Sequence, residues 1–272
     1  MKKQGTGNSK AVSVYRTRMI GSGLLFFLIA FGMVGPFLVS GDPGRQNLSA
    51  ILSTPGKEYL LGTDHLGRDM LLRLTAAIRV SVAIALITTA TASLIGVSLG
   101  ILAATRGGLA ERCTSLLADT FLALPGLLLV LLLVAIAPGS FWPLYLGIAM
   151  ILWVEQFRMT RALVQPLATS PAVQATRLLG FGPWYVFRRH FWPELQANVL
   201  TLSAFGAATA ILSVAALGFI SVGIRPPTPE LGQMMIELLP YYQEAPLIFL
   251  QPILILFLLV LSLNLIAGGK IR

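Results

Sequence analysis

Apolar and polar positions alternate along the chain in long blocks, and six of the apolar windows are long enough to cross a bilayer. A spanning helix needs about 20 apolar residues, because lipid offers the backbone no hydrogen-bond partner and every N–H and C=O must be satisfied within the segment. The pattern predicts helices over 19–39, 80–103, 116–137, 141–157, 197–224 and 247–267, the fourth being the shortest. The expected fold is therefore all-α and polytopic, with about six transmembrane helices. A short segment, 1–18, precedes one membrane domain, 19–272. Two polar segments, 41–79 and 158–196, are too long for simple turns. In the second, Ser170 followed by Pro171 is a helix start, Gly180 is a stop, and Pro183 begins another short helix that Pro193 is expected to close.

Composition agrees with lipid as the solvent: of 272 residues 56% are hydrophobic and only 11% charged. The net charge of +9 would suggest nucleic acid in a soluble protein, but here the basic residues sit in short segments between apolar runs, where they orient helices. No nucleic-acid partner is expected. With the N-terminus inside, the inner segments hold Lys2, Lys3, Lys10, Arg16, Arg18, Arg106, Arg112, Arg158, Arg161, Arg177, Arg188, Arg189, Lys270 and Arg272, against the acids Glu111 and Glu194. The outer segments hold six basic and seven acidic residues, so the balance is +12 inside and −1 outside, and both termini are expected in the cytoplasm. Lys2, Lys3 and Lys10 before the first apolar run look like a signal peptide, but the run is long enough to span and is read as a retained anchor. The single cysteine, Cys113, allows no intrachain disulfide and no cysteine metal cluster.

Catalytic chemistry finds little to work with. No GxxxxGK[ST] loop occurs, and Gly268, Gly269 and Lys270 lack the spacing and the hydroxyl of a nucleotide phosphate site. His65 and His190 are expected on opposite sides of the membrane, so they share neither a metal nor a relay. Within the spans the acids are Asp119 and Glu155, each expected within one or two turns of a cytoplasmic helix end, with Arg158 or Arg161 as partner to Glu155. So few buried charges give an ion-coupled secondary transporter little to use. A pathway would have to be lined by uncharged groups, and Ser81, Thr88, Thr89 and Ser93 of the second span are the candidates. Gly96 and Gly100, in GxxxG spacing, are read as a close helix contact, as is the Ala- and Gly-rich run 204–218.

Three motifs then carry a resemblance. The inner segment reads Val173, Gln174, Ala175, Thr176, Arg177, then Gly180, His190 and Pro193. This resembles the EAA loop of binding-protein-dependent ABC importer permeases, with Gln174 in place of the acid and Thr176 in place of the second alanine. The outer segment reads Leu61, Gly62, Thr63, Asp64, His65, Leu66, Gly67, Arg68, Asp69, with Arg73, Arg79 and Ser81 behind. It is similar to the LGTDxLGRD signature of the second permease subunit in dipeptide, oligopeptide and nickel importers. Pro226, Pro227, Thr228, Pro229 and Gly232 resemble that family's PPTPxWG turn, with Leu231 for the tryptophan, and the end at Gly268–Arg272 lacks the family's GDxLRDxLDP tail.

The resemblance implies a type I ABC importer permease fold, with 158–196 as the coupling loop and 41–79 as the outer loop. It implies a non-catalytic subunit without a cofactor of its own, ATP and magnesium being held by two cytoplasmic ATPase partners. A homologous second permease would complete the pathway and an extracytoplasmic binding protein would deliver substrate. In this segment, punctuated by Gly62 and Gly67, the residues Asp64, Arg68 and Asp69 form either an internal charge network or a contact for that binding protein. Ala76, Ala77, Ile78 and Arg79 look more like the nickel branch than the peptide branch, which usually has glycine there.

Overall fold

The computed structural model describes residues 5–39 and 41–268. Lys2, Lys3, the Lys10 side chain, Gly269, Lys270, Ile271 and Arg272 lie outside the described residues. Among the described residues ten α-helices follow one another: α1 Gly5–Leu38, α2 Met70–Arg106, α3 Gly108–Ala123, α4 Gly126–Ile136, α5 Phe141–Ala168, α6 Pro171–Leu178, α7 Pro183–Val186, α8 Trp192–Phe219, α9 Leu231–Leu238 and α10 Pro246–Gly268. Among the described residues the only strand-like pairing is an isolated bridge between Thr63 and Asp69.

Among the described residues four continuous helical runs are long and apolar enough to cross a membrane: Tyr15–Phe37, Met70–Arg106, Pro183–Phe219 and Pro246–Gly268. The expected straight third span is instead two helices, α3 and α4, bent by 84°. Pro125 is the cause. Its ring disfavours helical backbone at the preceding residue, and Leu124 is extended at φ −96° and ψ 136°. Counted as one, the pair makes a fifth span. The expected short fourth helix is long, 28 residues, because α5 continues past Phe157 through Arg158 and Arg161 to Ala168. Glu155 therefore sits near the middle of α5, away from both of its ends.

Two further boundaries differ from expectation. Helix α2 begins at Met70, ten residues before the apolar window, because Asp69 caps it by accepting from the Leu71 and Leu72 N–H groups at 2.7 and 3.2 Å. Pro193 does not close a helix. The Trp192 N–H reaches back to the Phe187 carbonyl through a π turn over Phe187–Phe191, and the helix continues into α8. The wider turn accommodates a residue that lacks an N–H and crowds the carbonyl four positions back.

The bundle is organised around α2 and α5, with α8, α10 and α4 packed beside them and α1 lying against α2 and α10. Gly96 and Gly100 let the two central helices touch. A Cβ at 96 would stand 2.5 Å from the Trp153 carbonyl oxygen, and one at 100 would stand 2.7 Å from Thr160 Cβ and 2.9 Å from the Phe157 oxygen. Small residues at this spacing are what helix association in lipid requires, since no hydrophobic driving force acts there between helices. In the alanine- and glycine-rich α8 the fit is looser, since a Cβ at Gly206 would meet Leu152 and Thr89 only at an ordinary contact of 3.5 Å. Replacing Gly96 or Gly100 by leucine should lower stability in detergent by about 1–3 kcal/mol or more through overpacking. The control Gly23→Ala, which meets nothing within 4 Å, should melt like the parent. Unchanged melting of Gly96→Leu would contradict this packing.

Candidate functional site

The outer motif folds into a compact knot because its two glycines adopt left-handed backbone. Gly62 has φ +80° and Gly67 φ +70°, and a side chain at 67 would collide with the Asn47 carbonyl. This geometry turns the chain about Asp64. Asp64 Oδ1 accepts from the Leu66 and Arg68 N–H groups at 2.8 and 2.9 Å. Its Oδ2 takes Arg68 Nε at 2.6 Å and also Arg73 Nη1. Both guanidiniums continue to Glu237 Oε2 on α9, each at 2.7 Å. Two arginines and two carboxylates thus close a ring that joins the outer loop, the start of α2 and α9. Asp69, expected within this network, caps α2 instead.

Asp64 is fully buried. Burial alone would raise its pKa, but the Arg73 guanidinium, the Arg68 N–H and guanidinium, and the Leu66 N–H outweigh it and hold the carboxyl below its ordinary value. His65 stacks on Tyr241 with ring centroids 5.6 Å apart, and burial holds its pKa down. Asp64, His65 and Glu237 bring three potential metal ligands within 4.8 Å of one another. Their carboxylates are already engaged by Arg68 and Arg73, so a cation would have to displace two guanidiniums, and the donor set fits an ion-pair network. Glu230 lies nearby at the start of α9. It is buried and accepts from the Gly232 and Gln233 N–H groups at 3.0 and 2.9 Å, and burial raises its pKa to about 7. Gly232 of the proline-rich turn abuts the backbone of Ala215, which presses α9 against α8.

At the other end of the bundle the inner segment forms α6. Ser170 caps it by accepting from the Val173 N–H at 3.4 Å. Its exit is a Schellman turn at Gly180, φ +82°, with the Phe181 N–H bonded to the Thr176 carbonyl at 3.3 Å and the Gly180 N–H to that of Arg177 at 3.0 Å. Gln174, Ala175 and Arg177 are exposed, as are Leu178 and Leu179 beyond them. Thr176 and His190 meet at 2.9 Å. Phe181 stacks on Tyr185 with centroids 4.3 Å apart, and Trp184 stands exposed beside them.

Between these ends, the four candidate lining hydroxyls separate. Ser81, Thr88 and Thr89 are buried against neighbouring helices, Thr89 donating to the Ala85 carbonyl. Ser93 borders an open groove of about 690 Å³ between α2 and α8, together with Ser98, Trp184, Phe187 and Trp192. Ser93 also contacts Ser203 at 2.9 Å, and the buried Gln156 donates to both serines at 3.1 and 3.2 Å. Neither Arg158 nor Arg161 pairs with Glu155. Arg158 meets Asp119 at 2.7 Å and Arg161 meets Glu111, because α3 lies across that face of α5. Glu237, Gln156 and Ser203 carried no sequence signal. Each acquires its place only from a helix remote in the chain.

A multi-pass bundle with a pinned polar loop at one end, an exposed amphipathic helix at the other and a groove between them is the build of a membrane permease subunit. The model of the family described as binding-protein-dependent transport system inner membrane component matches residues 96–268, and the chain belongs to that family. It is 33% identical over 255 residues to the dipeptide transport system permease protein DppC of Haemophilus influenzae, covering 91% of this chain and 86% of that one. To the di/tripeptide transport system permease protein DppC of Pseudomonas aeruginosa it is 34% identical, over 91% and 84%. To the nickel transport system permease protein NikC of Escherichia coli it is 30% identical, over 92% and 90%. The chain is a multi-pass inner-membrane permease subunit of an ABC importer.

Replacing Asp64 by Asn should cost about 3–5 kcal/mol, because two buried guanidiniums lose one of the two carboxylates they share. Since the folded pKa of Asp64 is depressed, the parent protein should keep this contribution above the ordinary value of 3.8 and lose it as the pH falls further. Melting curves in detergent from pH 7 to pH 3 test both statements. A variant that melts like the parent at pH 7 would refute the network's role.

Proposed function

We propose that the chain is one of two unlike permease subunits that enclose a pathway at their interface, with the groove beside Ser93 facing it. Two cytoplasmic ATPases hold ATP and magnesium and drive the cycle, and an extracytoplasmic binding protein delivers substrate to the outer face. Short peptides are the substrate class, with nickel as the second reading, since the relatives named above include both kinds of transporter. The observation that carries this reading is α6: a capped helix, exposed over most of its surface and followed by the Gly180 turn, is suited to seat in a groove of another protein. A self-sufficient secondary transporter would not need such a helix. It would need buried charges midway through the bundle, whereas the buried charge ring of this chain gathers at one end, with Arg73 in the first turn of α2, and Glu155 is exposed.

The two ends of the bundle are well separated. Helix α2 starts at the outer knot and finishes beside Arg177 and Phe181, a rise of about 55 Å for its 37 residues. The basic excess near Arg177 supports a cytoplasmic position for that end. In a Cys113→Ser background, G182C should react with an impermeant maleimide only in inverted vesicles. Labelling in intact cells would reverse the topology.

Reconstituted alone, the chain should show no ATP hydrolysis and no concentrative uptake of labelled dialanine or nickel. Adding the second permease, both ATPases and the binding protein should produce both activities. In that complete complex Gly180→Val, which forces a β-branched residue to φ +82°, should reduce uptake several-fold while insertion stays normal. Uphill uptake by the lone chain on a proton or sodium gradient would establish the secondary-transporter reading instead.

A further inference from the structure

Helix α6 meets the rest of the molecule along one narrow line. Of its eight residues only Val173, 1% exposed, and Thr176, half-buried, are covered, and their i, i+3 spacing puts both on one face. Val173 enters a small apolar cluster with Val164, Val186, Phe191, Leu195 and Val199. Such contact is non-directional and lets a helix slide or roll.

Thr176 makes a directional contact. Its hydroxyl proton goes to the Ala172 carbonyl at 2.8 Å, so across the 2.9 Å contact with His190 the imidazole Nε2–H is the donor. Among the described residues this is the one side-chain hydrogen bond that joins α6 to a helix beyond its own flanking turns. His190 belongs to the π turn Phe187–Phe191, which runs without a break into α8. Helix α8 in turn supplies Trp192 and Val199 to the groove and Ser203 to the polar contact with Ser93 and Gln156. A single chain of contacts therefore leads from the exposed helix to the groove wall.

We propose that the Thr176–His190 hydrogen bond is the strut through which displacement of α6 turns α8, which makes Thr176 and His190 positioning residues for transport. The proposal rests on the reading of α6 as the coupling helix. The π turn suits the role, because its loosened backbone hydrogen bonding makes it the deformable point of the 37-residue run Pro183–Phe219, and the strut attaches there. Hydrogen bonds weaken steeply when bent, so the bond transmits rotation of α6 that the contact of Val173 does not.

The test uses the complete reconstituted complex and reads the ratio of substrate moved to ATP hydrolysed, with labelled dialanine, or with radioactive nickel if that is what the parent complex moves. Thr176→Val keeps the shape and removes the acceptor, and His190→Phe removes the donor. Each should lower the ratio by about five-fold, the factor that one net hydrogen bond represents. Thr176→Ser and His190→Gln, which preserve an acceptor and a donor, should retain it. The double variant Thr176→Val with His190→Phe should be no worse than either single one. Val173→Ala serves as the structural comparison: it should lower the amount of folded complex and both activities together, with the ratio unchanged. A parental ratio in Thr176→Val, or additive losses in the double variant, would overturn the strut. Absence of ATP-dependent uptake by the parent complex would overturn the coupling reading itself, which separates the two failures.

Discussion

The close contact of α2 with α5 at Gly96 and Gly100 is the constraint to which the other parts of the bundle are fitted. Helices in lipid gain nothing from hiding apolar surface from one another, so association depends on how near two backbones come and on what they hydrogen-bond. Here the approach leaves no room for even one methyl group at position 96. Both helices also extend well beyond the contact. One end of α2 begins in the outer knot, and the far end of α5 leads into α6. Fixing the pair in the middle thereby fixes where the two functional ends lie.

At the Asp64 end charge is used for construction. The ring of Asp64, Arg68, Arg73 and Glu237 is buried yet balanced, each guanidinium meeting two carboxylates. A buried ion pair adds little net stability against an apolar replacement, but breaking one is costly, which makes such a ring a specifier of arrangement. It dictates how the loop after α1 sits on α9, and through Glu230 and Gly232 how α9 sits on α8.

The α6 end follows the opposite logic. Most of α6 is uncovered, its apolar Leu178 and Leu179 face outward, and the turn after it is locked by Gly180 and the Schellman bonds. A rigid element with few attachments moves as a body, and the motion it passes on is decided by those attachments. Val173 and Thr176 are the covered residues, and Thr176 alone supplies direction.

Sequence alone determined the class of this protein. Apolar windows fix where backbone must be helical, glycine and proline fix where it must turn, and short motifs such as Gly62–Asp69 and Ser170–Gly180 close mainly on their own backbone, so their local conformation was legible. Even so, Pro125 broke a span that hydropathy alone would have left straight, because averaging over a window ignores one residue's ring. Only the tertiary structure decided partners. Glu237 reaches Arg68 across 169 positions and Arg158 chooses Asp119 over Glu155, because in a folded bundle the nearest opposite charge comes from whichever helix happens to cross. The helix crossings also placed Ser93 at the groove and buried Thr88, residues that hydropathy and spacing treat alike.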